Sequence, residues 1–112
     1  MDLELNAINA KFYNILKQMA PFGPENMTPV FASHDVRLSG TPTIMKEKHL
    51  KIEVFQPSPQ GAVKFTAIGF GMADLYPKLI TGKPFSIAYT IEENTFRDKT
   101  TLQLYLKDIR FE

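Results

Sequence analysis

The chain has no cysteine, and this removes two possibilities at once. Without thiols there are no disulfides and no zinc site with thiolate ligands. Charge of one sign is also scarce: 13 Lys and Arg stand against 12 Asp and Glu, a formal net charge of +1. A protein that grips nucleic acid through many phosphates usually carries a stronger basic excess, at least locally. Any such role must therefore rest on where the cations sit. No apolar run approaches the ~20 residues of a membrane span. Asp2 and Glu4 follow Met1 at once, where an export signal would want basic residues. A cytoplasmic protein without a membrane partner is expected. There is also no internal repeat and no low-complexity segment. Against these absences stand a 44% hydrophobic fraction, nine Phe and four Tyr in 112 residues. That is enough for the core of one domain and too little chain for two.

Leu5, Ile8, Phe12, Ile15 and Met19 recur at steps of three and four, which predicts an N-terminal helix. Asp2 is its expected N-cap, and Pro21 should end it. The stretch from Pro21 to Pro29 reads as a rigid, ordered loop. From Val30 the pattern turns to strands. Segment 30–39 is broken by Gly40-Thr41-Pro42, and in 43–56 Leu50, Ile52 and Val54 alternate with Lys51 and Glu53. Pro57-Ser58-Pro59-Gln60-Gly61 then makes 43–56 and 62–70 a hairpin. Residues 71–80 fit a short helix with Pro77 as its weak point. Two further strands follow, one from Phe85 to Ile91 and one from Leu102, joined by a turn at Glu93–Asp98. The phase of the last strand slips at Asp108, so a bulge is expected near Lys107–Asp108.

The order is helix, three strands, short helix, two strands. A helix between the third and fourth of five strands is the order of the OB fold, a mainly β Greek-key barrel. The chain divides into an N-terminal helix and ordered linker, 1–29, and an OB domain, 30–112.

The loop from Pro21 to Phe31 carries the spacing Pro-Phe-Gly, two residues, Asn, two residues, Pro, one residue, Phe. In this the chain resembles the RecJ family of single-stranded-DNA-specific 5′–3′ exonucleases. His49-Leu50-Lys51, the Ala67–Gly71 stretch, Leu102-Gln103-Leu104 and Lys107-Asp108-Ile109-Arg110 extend the resemblance from about residue 15 to the C-terminus. Family members join an OB domain to a catalytic core with Asp-His-His motifs and a divalent metal, Mn or Mg. The resemblance covers only the OB domain, and the sequence has no Asp-His-His triplet. It implies a cofactor-free, non-catalytic module, the C-terminal and substrate-holding part of a hydrolase of DNA repair and recombination. Its implied partners are single-stranded DNA, the catalytic core of the same polypeptide and other repair proteins.

OB folds bind single strands across the faces of strands two and three and through the loops joining strands one–two and four–five. There cations track phosphates and aromatic rings stack on bases. The candidate cations are Lys46, Lys48, His49, Lys51 and Lys64, with Arg97 and Lys99 in the four–five loop. Candidate stacking rings are Phe55, Phe70, Phe96 and Tyr105. The plain alternative is that the lysines solubilise a sheet surface and the rings are core. Glu92, Glu93 and Asp98 would oppose phosphate at the second loop. Phe22, Gly23, Asn26 and Phe31 are candidates for packing against a catalytic core, or else tie helix to barrel. His34-Asp35 has no further ligand or nucleophile nearby and is expected as an exposed pair on the first strand. A protein-interaction or scaffolding domain is the alternative function, favoured by the near-neutral charge.

Overall fold

A computed structural model describes residues 1–19 and 29–111. Its elements are α1 (Ala10–Met19), β1 (Phe31–Met45), β2 (His49–Phe55), β3 (Phe65–Gly69), α2 (Tyr76–Leu79), β4 (Phe85–Phe96) and β5 (Lys99–Phe111). The strands close into a barrel in the order β1-β2-β3-β5-β4. All neighbours are antiparallel except β3 and β5, which pair in parallel through Ala67↔Leu104 and Ile68↔Tyr105. One inward residue in two along each strand fills the interior. Val36, Leu50, Ile52, Val54, Ala67, Phe85, Ile87, Tyr89, Ile91 and Leu104 are all nearly or fully inaccessible.

The helix between β3 and β4 is short and opens with a 3₁₀ turn, Ala73–Leu75. Pro77 lies in the first turn of α2, where its missing N–H costs nothing, so it is no weak point. Leu79 plugs the barrel from this helix. With this closure the molecule is a five-stranded OB barrel.

Departures from the sequence pattern each have a physical cause. Gly40-Thr41-Pro42 does not end the first strand. The β1–β2 register jumps from Ser39↔Glu53 to Thr43↔Lys51, so these residues form a bulge that bends β1 round the barrel. Gly40 takes it at φ 75, and the real turn falls at Lys46–Lys48. The expected bulge in β5 is present: Ala88↔Asp108 is followed by Tyr89↔Leu106, leaving Lys107 extra. The turn between β4 and β5 is tighter than Glu93–Asp98, with only Arg97 and Asp98 outside the strands.

The N-terminal segment differs most. Residues Met1 and Leu3 pair with β1, through Ala32 N–H to Met1 O (2.8 Å) and Leu3 N–H to Ala32 O (2.8 Å). Asp2 is therefore in a β-bridge and caps nothing. Leu5 and Ile8 enter the barrel core. The helix begins only after Asn9, whose Oδ1 accepts from Phe12 N–H at 2.8 Å as the true N-cap. This restart shifts the helical phase. Phe12, Tyr13 and Leu16 pack on the core, while Ile15 is 49% exposed.

Buried polar groups tie this segment down. Gln56 accepts from Leu5 N–H (2.5 Å) and donates to His34 O (2.7 Å). Ser33 donates to Leu3 O (2.7 Å), so the Tyr89 hydroxyl, 2.8 Å away, must donate to Ser33. His34 stands exposed outside, between Ser86 and Asp2.

Candidate nucleic-acid interface

The hairpin between β1 and β2 turns through Lys46 (φ 52) and Glu47 (φ 61), with Lys48 N–H donating to Met45 O. Two left-handed central residues make this a primed turn, the kind that matches strand twist. It presents Lys46 and Lys48 at the tip, while Lys51 points outward two positions beyond His49.

His49 Nδ1 accepts the N–H of Gly71 at 3.0 Å. That bond requires Nδ1 to be unprotonated, so the neutral ring carries its proton on Nε2. Gly71 sits at φ 72, a conformation that a side chain would strain. The turn so held places Phe70 beside His49, rings edge-on at 5.3 Å. Tyr105 of β5 also meets Phe70, at 5.4 Å and again edge-on. Phe70 touches two rings and is still 56% exposed. Phe70 is thus a bare aromatic ring braced by two others, and Lys48 and Lys51 flank the bracing His49 in sequence, with Lys46 in the turn just before. Beside it, where β1 bulges, a concavity of about 380 Å³ runs along Thr41, Thr43, Met45, Lys51 and Glu53.

The second group of candidates lies elsewhere. Phe96 is 65% exposed at the tip of the β4–β5 hairpin, with the Arg97 guanidinium 5.2 Å from its ring centre. Lys99 pairs with Phe96 across the hairpin. Lys64 is exposed but precedes β3, four positions before the Ile68 that pairs with Lys51. At about 3.3 Å per residue this separates it from the Lys46–Lys51 group by roughly 13 Å. Phe55 is half-buried and lines a different hollow of about 440 Å³, with Arg37, Leu38, Pro42, Leu79 and Ile80. It is not a stacking ring of the platform.

Phe31 does not serve as a docking anchor. It is 2% exposed, with Phe12 at 6.0 Å and Tyr89 at 6.3 Å, so its ring is held inside the barrel. Phe22, Gly23 and Asn26 lie outside the described residues. Lys107, exposed and two positions beyond Tyr105, is a further cation that the sequence-based candidates omit. Its alternation with Gln103 and Tyr105 was the available signal. Among the described residues no three His, Cys, Asp or Glu side chains gather as metal ligands. No helix there is long and apolar enough to cross a membrane.

The fold resembles two crystal structures of the mitochondrial single-stranded DNA binding protein Rim1 from S. cerevisiae, one of them selenomethionine-labelled. They align with TM-scores of 0.58 and 0.58, at 17% and 20% identity, over 76% of this chain and 95% of theirs. No curated protein matches the sequence. The family described as the RecJ OB domain matches residues 1–108, nearly the whole chain. Barrel order, interrupting helix and family match agree, and the chain belongs to the RecJ OB domain family.

Proposed function

We propose that this domain binds single-stranded DNA on the outer β2–β3–β5 face and holds it for a RecJ-like 5′–3′ exonuclease of DNA repair and recombination. The observation that carries the reading is the exposed Phe70 ring, braced by His49 and Tyr105 beside Lys46, Lys48 and Lys51. A base stacking on such a ring gains ~1–3 kcal/mol, and lysines around it meet the flanking phosphates. Family membership and the likeness to a single-stranded DNA binding protein support the same ligand. The chain itself holds substrate and has no catalytic role in this reading. The divalent metal of the parent nuclease finds no fitting donor set among the described residues, and its place is the Asp-His-His core. The parent is cytoplasmic.

The test is fluorescence anisotropy with labelled oligo-dT, first at low and then at moderate salt. Binding should weaken as salt rises, because each phosphate contact releases counterions. No binding at the lower salt removes the reading. A protein-docking domain is the second reading, favoured by Ile80, 56% exposed beside the hollow lined by Phe55 and Leu38. In that case reversing the charge of Lys46, Lys48 and Lys51 leaves DNA affinity of the parent enzyme unchanged.

A further inference from the structure

We infer that His49 is a positioning residue for the Phe70 ring and that its protonation sets whether the ring is held. Neutral His49 fixes the turn that carries Phe70, and protonated His49 releases it. The inference rests on the DNA-binding reading above and adds its regulation.

The turn after β3 is tied to the start of β2 at two points. Ala73 N–H donates to Lys48 O at 3.1 Å, a backbone bond that proton uptake leaves alone. Gly71 N–H donates to Nδ1 of His49 at 3.0 Å, and this bond lasts only while Nδ1 keeps a free lone pair. The turn also has an internal anchor. Met72 N–H donates to Gly69 O at 3.3 Å, and the Met72 side chain folds back over Gly69. A Cβ on that glycine would stand 2.8 Å from the sulfur. Gly69, Met72 and Ala73 are therefore held in either protonation state. Phe70 and Gly71, the crest between them, depend on His49. Among the described residues Phe70 has ring contacts only with His49 and Tyr105.

Protonation turns Nδ1 from an acceptor into a donor. Two N–H groups then face each other where a hydrogen bond stood, and the crest must shift. A hollow of about 410 Å³ lined by Glu47, Lys48, Gly71, Ala73 and Asp74 gives it room. The charged and titratable groups on the elements around the ring are Lys46, Glu47, Lys48 and Lys51 of the β1–β2 hairpin, Asp74 of the 3₁₀ turn, and Tyr105 of β5 beyond Phe70. Among the described residues no carboxylate pairs with His49, so no ion pair keeps the charged ring in the neutral ring's place. Acidification then has two opposed effects on a bound strand. The new cation favours phosphate, by about two- to threefold on a salt-screened surface. Loss of one stacked base costs about fivefold or more, so the loss wins.

The test measures anisotropy of labelled oligo-dT with the 112-residue chain at one moderate salt concentration, at about pH 8 and about pH 5.5, the range across which imidazole titrates. Thymine takes up no proton there. Wild-type affinity should fall by about twofold or more at the lower pH. His49→Asn keeps an acceptor near the Nδ1 position without taking up a proton. It should bind more weakly than wild type at the higher pH, for want of the ring, and equally at both. His49→Ala, with no acceptor, should bind more weakly still. His34, the other histidine, remains in every variant and serves as the control. Wild-type affinity that stays flat or rises on acidification, or an equal fall in His49→Asn, overturns the inference. A second measurement needs no DNA. In NMR spectra of the wild type, the Gly71 amide proton should move upfield in step with protonation of the His49 ring, while that of Ala73 stays in place. A Gly71 signal that does not follow the ring overturns the inference whether or not DNA binds. A Gly71 signal that follows it, with no DNA binding at either pH, overturns the underlying reading and leaves the proton-controlled turn standing.

Discussion

Tyr89 shows how one residue links packing to solution behaviour. It is fully buried, and burial pushes its phenol up to about 12, with Glu4 adding to the rise. The folded chain therefore keeps this proton where the unfolded chain, at an ordinary 10.0, has lost it. Stability from this group is complete below pH ~10 and is lost as the pH climbs towards ~12, about 2–3 kcal/mol in all. Tyr89→Phe should flatten the fall in urea midpoint across that window. A smaller slope should remain from Tyr13, raised first by burial and then by Glu93. An unchanged slope in the variant would show that another group controls alkaline unfolding. The residue scale is also where the sequence was least legible. Phe31 and Phe70 both flank apolar strands, yet one is core and the other a platform. Side-chain parity on a paired strand decides between them, and parity needs the register.

At the scale of elements, legibility followed periodicity. The core faces of β4 and of β5 as far as Leu106 were readable because alternation is unbroken there, and the Lys107 bulge because the phase then slips. The helix start was not readable, because residues 1–3 have a competing partner in β1 that no local pattern reveals. The site was half readable. Lys46, Lys48, His49 and Lys51 are close in sequence and share the β1–β2 hairpin, whereas alternation says nothing of level along the barrel, so Lys64 and Phe55 lie apart from them. The N-terminal segment is expected to be part of the cooperative unit. Gln56→Leu keeps volume but strands Leu5 N–H and His34 O without their partner. Each lost buried bond costs about 1–3 kcal/mol. The urea midpoint should fall accordingly with an unchanged m-value. A negligible change would mean that residues 1–8 open independently of the barrel.

For the molecule as a whole, a net charge of +1 conceals a local arrangement. Cations gather at two hairpin tips, but each tip also holds an acid: Glu47 between Lys46 and Lys48, and Asp98 between Arg97 and Lys99. Both acids occupy left-handed backbone, φ 61 and φ 64. A side chain there is strained by about 1–2 kcal/mol, partly offset by the flexibility that glycine would bring to the unfolded chain. Glu47→Gly and Asp98→Gly should each stabilise the fold by roughly 0.5–1 kcal/mol in urea titration. The same substitutions remove a charge that repels phosphate, so oligo-dT affinity at low salt should also rise, by about two- to threefold. Affinity that stays flat would take that tip out of contact with DNA. Stability and affinity ordinarily trade against one another at a binding loop. On the proposed reading they should run in the same direction at these two turns, so a tighter, tougher version is expected one substitution away at either tip.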